Sequence, residues 1–207
     1  MSSHDTEGSA DGSLARRWLD DAARIDEAVY AAVARTPTPA LDVRLSQLSR
    51  AADRSRLWMG TAAVLALVGG RRGRRAAAQG LMCVAVNSAA VNLLVKPLGR
   101  RHRPDRAGAE VPELRHVRMP QSGSFPSGHS ASAFAFAFGV GHRLPVVGVP
   151  LHALAGAVAY SRVHTGVHYP GDVVVGSMLG TALGQVAAGV TDHVAGRYAD
   201  LSRDGSG

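Results

Sequence analysis

The pattern of hydrophobic and polar positions divides the chain into three zones. Residues 1–13 are small and polar and predict a disordered tail. No apolar run lies within them, so a cleaved secretory leader is not expected. Residues 14–56 read as an amphipathic helical region. From Leu14 to Arg35, the residues Leu14, Trp18, Ile25, Val29 and Val33 fall near one helical face, with arginines and aspartates on the other. Thr36-Pro37-Thr38-Pro39 ends that helix. A second amphipathic stretch, Leu41 to Arg56, groups Leu41, Leu45 and Leu48.

The third zone, residues 57–192, contains five apolar stretches: Leu57–Gly70, Ala76–Val95, Ser130–Val140, Pro145–Tyr160 and Val173–Val190. None holds an arginine or an acidic residue, and none shows strand-like alternation. Only the second reaches the ~20 residues of a full membrane span, and flanking residues can extend the others. Alanine and glycine dominate, which lets helix backbones approach closely. The predicted fold is all-α: a membrane-embedded bundle of about five apolar helices with amphipathic N-terminal helices. A soluble bundle with very apolar core helices is the alternative, because short apolar runs also make buried helices. Residues 193–207 form a polar C-terminal tail.

Composition narrows this picture. The 207 residues carry a net charge of +7, from 23 Lys+Arg against 16 Asp+Glu. Lys96 is the only lysine in the chain. Such a balance suits an anionic partner, whether nucleic acid, membrane surface or phosphorylated substrate. Aromatic residues at 5% leave few platforms for stacking nucleotide bases, and no nucleic-acid partner is expected. A single cysteine, Cys83, excludes an internal disulfide and a cysteine-based zinc site.

Three polar patterns sit at the ends of the apolar stretches. Lys96 to Arg103-Pro104 follows the second. Pro126-Ser127-Gly128-His129 precedes the third. Ser161-Arg162, His168 and Asp172 lie between the fourth and fifth. If successive helices run up and down, the segments 96–129 and 161–172 emerge on one face and converge. Lysine and arginines around two imidazoles describe a pocket for a tetrahedral oxyanion, with ammonium as point charge and guanidinium as fork. The Ser-Gly-His segment opens a helix whose free N–H groups favour an anion, and Gly128 lets it approach the backbone. His168 and Asp172 are four residues apart, a spacing that brings the carboxylate to one ring nitrogen and leaves the other free.

These residues resemble the signature of the type 2 phosphatidic acid phosphatase superfamily: K-x6-R-P, P-S-G-H and S-R-x5-H-x3-D, every position filled in order within residues 96–172. The resemblance covers residues 41 to 190. It implies a helical bundle and metal-independent hydrolysis of a phosphate ester through a phosphohistidine, with no cofactor. By the same resemblance His168 attacks phosphorus, Asp172 orients it and His129 protonates the leaving oxygen. Lys96, Arg103 and Arg162 bind phosphate oxygens, helped by Ser127 and the Gly128 N–H. The implied substrate is a lipid phosphate or a prenyl (di)phosphate in the cell membrane. Transfer of the phosphoryl group to an alcohol, or a soluble acid phosphatase of the same superfamily, uses the same intermediate.

Other polar residues have plainer readings. His164, His168 and Asp172 mimic a metal site by spacing, but Gly166 and Pro170 interrupt the helix it would need. His164 and Tyr169 are candidates for support of the site. Arg71–Arg75 is expected between two helices as a headgroup contact or topology signal. Arg100, Arg101 and Arg106 either meet an anionic headgroup or are solvated. Basic residues are nearly balanced between the two ends of the bundle, so the positive-inside rule does not orient it.

Overall fold

The computed structural model describes residues 5–96 and 101–204, and among these the regular structure is entirely helical. Helix α1 spans Asp5–Arg35 and α2 spans Pro39–Ala51. A single 3-10 turn, Asp53–Ser55, leads into α3, Arg56–Val68. Helix α4, Gly70–Ala90, continues as a π-helical turn, Val91–Val95. A long connection with one 3-10 turn at Glu113–Arg115 leads to α5, Gly128–Arg143. Helices α6, Pro145–His164, and α7, Pro170–Asp204, complete the chain. The five apolar stretches are α3 to α7. Among the described residues, three helical segments are long and apolar enough to cross a membrane: Gly70–Val95, Pro145–His164 and Pro170–Arg197.

Several boundaries differ from the pattern-based reading. Helix α1 begins at Asp5, inside the segment expected as a tail, and α7 runs to Asp204, through most of the polar C-terminal segment. Polar residues extend an exposed helix end at little cost once its inner turns are packed. Residues 1–4 and 205–207 lie outside the described residues. The second amphipathic stretch stops at Ala51 rather than Arg56, because Arg54 and Ser55 adopt left-handed backbone angles (φ 53° and 58°) and turn the chain. The Arg71–Arg75 cluster forms the first turns of α4 rather than a loop. The reversal before it is confined to Gly69–Gly70, where Gly70 takes φ +56°.

Helix α5 lies at the centre and packs against α4, α6 and α7. Its Ala131, Ala133, Ala135, Phe136, Ala137 and Val140 are buried, and Phe136 meets Trp58 of α3 at a ring separation of 5.3 Å. Small residues set the spacing. A side chain at Gly176 or Gly180 of α7 would collide with the carbonyl oxygens of Ser127 or Ala131 on α5. This close approach holds the start of α7 beside the start of α5, where two of the motifs lie. The outer surface is apolar, with Leu67, Val68, Val146, Val149 and Met178 all exposed. Such a surface suits lipid better than water.

The two N-terminal helices are turned against the usual rule. A surface helix ordinarily buries its apolar stripe. On α1, Leu14, Trp18, Ile25 and Val29 are exposed, whereas Asp26, Tyr30 and Ala34 are buried toward α6 and α7. On α2 the buried residues are Asp42, Ser46 and Ser49. The reason lies in what they face. The 101–127 connection and the end of α6 carry the buried Arg115 and Arg162. A buried guanidinium needs partners. Arg115 donates to Asp42 (2.8 Å) and to the carbonyls of Val33, Ala34 and Thr36, locking the α1–α2 turn onto the connection. His164 reaches the same carboxylate at 3.0 Å.

Candidate active site

The three sequence patterns converge at one end of the bundle. Two contacts fasten them: Ser127 N–H donates to the Asp172 carbonyl (2.9 Å), and the Arg103 guanidinium donates to the Val167 carbonyl (2.7 Å). Pro170 starts α7, which puts Asp172 in its first turn and folds the carboxylate back toward His168. His168 Nδ1 lies 3.4 Å from Asp172 Oδ2. The opposite ring nitrogen, Nε2, lies 3.3 Å from Arg103 Nη1. The imidazole therefore has one nitrogen held by a carboxylate and the other turned toward a fixed cation.

The Asp172 carboxylate is fully buried and engaged on every side. Oδ2 accepts from the Tyr169 N–H at 2.9 Å and from the Ser124 hydroxyl. Ser124 Oγ also lies 3.5 Å from His168 Nδ1. Oδ1 accepts from Arg101 Nη1 at 3.1 Å. Arg101 is held in turn by Asp26 of α1 at 2.6 Å, and it stacks 4.1 Å above the Tyr169 ring. Asp26 Oδ1 accepts from the Gly171 N–H at 2.6 Å, at the first turn of α7. Burial pushes the His168 imidazole down to about 4, with Arg103 and Arg162 adding to the fall and the hydrogen bond to Asp172 opposing it. The ring is thus neutral at physiological pH, as a nucleophile requires.

On the other side of the site, a cavity of about 230 Å³ opens between the end of α4, the start of α5 and the 53–55 turn. Lys96, Gly128 and His129 line it. The π-helical turn delivers Lys96, whose N–H closes a five-residue bond to the Val91 carbonyl (2.9 Å). Its ammonium lies 3.9 Å from where a Cβ on Gly128 would stand, so the missing side chain leaves a cradle below the charge. Burial, and secondarily Arg103, lower the Lys96 ammonium from its usual range. The N–H groups of the first turn of α5 have no carbonyl within the helix to pair with.

Ser127 has a structural task at the start of α5. It is the N-cap of α5: its hydroxyl accepts from Ser130 N–H (3.4 Å) and Ser130 Oγ (2.9 Å), and it is buried. The hydroxyl shapes the helix start, and what it presents toward an anion is the turn itself. Arg162 is 1% exposed and donates to Ser49 Oγ of α2 at 2.6 Å, while its Nε has no partner among the described residues. It lies 3.8 Å from Asp53, whose carboxylate pairs with His129 Nε2 at 2.9 Å. The hydrogen bond from His129, together with nearby Arg162 and Arg54, holds the Asp53 carboxyl below its usual range. Asp53 opens the segment where two successive non-glycine residues take left-handed angles, a strain expected only where the surroundings enforce it.

All eight motif residues thus gather at one end of the molecule. His168, Asp172 and Arg103 are in direct contact, Lys96, Gly128 and His129 line the cavity, and Arg162 sits between the groups. Sequence reasoning missed Ser124, Arg101, Asp26, Asp53 and Ser49. Only Arg101 was singled out, and only as a headgroup contact or solvated charge; it is instead locked between two carboxylates. Arg106 is likewise pinned, to the carbonyls of Gly166 (3.3 Å) and Val117 (2.9 Å). Arg100 lies outside the described residues.

Residues 76–193 match the PAP2 superfamily. A decaprenylphosphoryl-5-phosphoribose phosphatase of Mycobacterium tuberculosis is 42% identical over 105 residues, which cover 49% of this chain and 54% of that protein. The protein of the same name from Mycolicibacterium smegmatis is 35% identical over 161 residues, covering 76% of this chain and 84% of that one. The match therefore spans about half the length of the Mycobacterium tuberculosis relative and most of the Mycolicibacterium smegmatis one. Among solved structures, Aquifex aeolicus LpxE superposes with a TM-score of 0.62 at 22% identity, over 77% of this chain and 92% of that one. A transmembrane PAP2-type phosphatidylglycerolphosphate phosphatase from Bacillus subtilis gives 0.63 at 23% identity, over 84% and 88%. These two structures share the fold.

Proposed function

Because the chain belongs to the PAP2 superfamily, we propose that it is a multi-pass membrane phosphatase that removes a terminal phosphate from a prenyl-linked or other lipid-linked substrate. The observation that carries this reading is the His168–Asp172 pair, with His168 Nε2 turned toward the Arg103 guanidinium. A phosphate held between Arg103, Arg162, Lys96 and the first N–H groups of α5 brings its phosphorus to that nitrogen. The nitrogen lone pair forms a P–N bond as the P–O bond to the leaving group breaks. His129 supplies the proton that the departing oxygen takes up. A water molecule then attacks the phosphohistidine, giving its proton to His129, and the P–N electrons return to His168. Asp172 stabilises the imidazolium that exists between the two steps. Most of the rate enhancement comes from fixed charge around the transferring group, as in phosphoryl transfer generally.

The names of the sequence relatives support a narrower reading: the substrate is a phosphopentose carried on a prenyl phosphate, and the bond broken is the terminal phosphomonoester. Its long apolar chain suits the exposed apolar surface of the helices. The test is phosphate release by detergent-purified protein from four substrates: a prenylphosphoryl phosphopentose, a prenyl phosphate, phosphatidate and phosphatidylglycerophosphate. The expected result is release that a chelator does not suppress and that His168→Ala abolishes. Loss of release in chelator, restored by a divalent ion, would overturn the mechanism. Preference for phosphatidate would overturn the narrower substrate.

A further inference from the structure

The cavity beside His129 has a polar inner wall that the phosphate chemistry does not use. Asn87 of α4 is fully buried there, in one of the helices apolar enough to cross a membrane. Its amide donates to the Ser132 hydroxyl at 3.4 Å. Its carbonyl oxygen has no partner among the described residues. An unpaired amide end buried in a membrane helix is costly and, by default, functional. Ser132 follows His129 by three residues, so it lies one helical turn further along the same face of α5. The two side chains therefore sit directly beyond the group that would protonate the leaving oxygen.

We infer that this cavity is a leaving-group subsite for a polyol, with Asn87 and Ser132 reading a hydroxyl next to the ester being cleaved. The inference rests on the phosphatase reading above, since it places the leaving group beside His129. The chemistry matches a hydroxyl group, which donates to the free Asn87 oxygen and accepts from the Ser132 hydroxyl. The size matches a small fragment: 230 Å³ lies below the ~300 Å³ at which drug-sized ligand pockets begin. A sugar ring or a glycerol unit fits that description, and a prenyl or acyl chain does not. The chain instead leaves the cavity toward the exposed apolar faces of the helices. Ser88 and Asn92 add further polar groups along the same wall. A site built to pair a hydroxyl rejects analogues that lack it, because its own polar atoms are then left unpaired.

The experiment compares kcat/KM for two pairs of substrates in the same detergent. The prenylphosphoryl phosphopentose and phosphatidylglycerophosphate both carry a free hydroxyl near the cleaved ester. Prenyl phosphate and phosphatidate do not. The expected result is a tenfold or greater preference for the hydroxylated pair, and the ratio between its two members tells a furanose from a glycerol. Asn87→Leu and Ser132→Ala should each cut that preference ten- to a hundredfold. Each single replacement strands the other's polar group and should lower the unfolding temperature, whereas the double replacement Asn87→Leu/Ser132→Ala removes both partners, should unfold near the wild-type temperature, and should lose the preference as completely. A preference that survives both substitutions would overturn the subsite. So would wild-type turnover of prenyl phosphate and phosphatidate at the same rate as the hydroxylated pair, while leaving the phosphatase reading intact. Absence of release from all four substrates would overturn the phosphatase reading itself, and the subsite with it.

Discussion

The two histidines of the site live in opposite surroundings. His168 is 2% exposed, and its orienting carboxylate is bonded by Ser124, Arg101 and the Tyr169 N–H, with Arg101 braced by Asp26. His129 is only partly buried, pairs with one half-exposed carboxylate, Asp53, and borders an open cavity. The contrast follows from what each would do. A nucleophile attacks one phosphorus along one line, so its ring must be held in one orientation and one tautomer. A group serving the leaving oxygen must adapt to the substrate and then to water. Rigidity is concentrated on the first and space on the second.

The comparison can be broken in order of expected effect. His168→Ala removes the nitrogen proposed to attack phosphorus and should lower kcat by about 10⁴-fold or more, close to background. Failure to trap radiolabelled phosphate on this variant, against trapping on the wild type after a rapid alkaline detergent quench that preserves the acid-labile P–N bond, would tie that loss to the covalent step. Asp172→Asn should cost about 10³-fold, because an amide neither holds the tautomer nor balances the imidazolium. A mild effect in steady-state kinetics would mean that Ser124 alone orients the ring.

Arg101→Ala tests the outer brace. A loss of about ten- to a hundredfold in kcat with a smaller change in KM is expected, typical of groups that orient a reacting side chain. It should also move the pH profile. His168 is held at about 4, so activity that depends on its neutral form is complete well above that pH and falls as pH drops through it. Removing Arg101 leaves the Asp172 charge less compensated, which favours the imidazolium and shifts this acid limb to higher pH. An unmoved limb would reduce Arg101 to a structural strut.

The smallest effect belongs to the open side. Asp53→Asn should slow cleavage of alkyl phosphates by about tenfold, because the His129 ring loses its charged partner. The loss should shrink with p-nitrophenyl phosphate, whose leaving oxygen needs little proton assistance. Equal losses on both substrates would mean that Asp53 fixes the site as a whole rather than serving the leaving-group side.

Legibility followed the same division. His168 and Asp172 are local: a four-residue spacing ahead of a helix start brings a carboxylate to a ring, and the sequence carries that spacing. The Lys96 and Gly128 cradle was readable too, as a charged residue closing one apolar stretch and a Ser-Gly-His opening another. Asp26, Asp53 and Ser49 were not. They lie on or beside amphipathic N-terminal helices whose apolar stripe suggested an inward hydrophobic face, and the residues they serve are 75 to 145 positions away. The actual orientation of α1 and α2 was decided by buried arginines that no local window contains. Ser127 shows a further layer, a motif hydroxyl that the folded chain also uses as the cap of α5.

By itself, then, the sequence determined that the chain forms apolar helices with catalytic-type residues at their ends, because periodicity and capping are properties of neighbouring residues. It also carried the signature that places the chain in its superfamily. Only the tertiary structure decided which way the N-terminal helices face, which carboxylates meet Arg101, Arg115 and His129, and that the half-satisfied Asn87 amide borders the cavity. Those outcomes depend on pairing buried charge and polarity across the bundle. Such pairing is a condition on the whole packed molecule, satisfied by partners far apart in the chain.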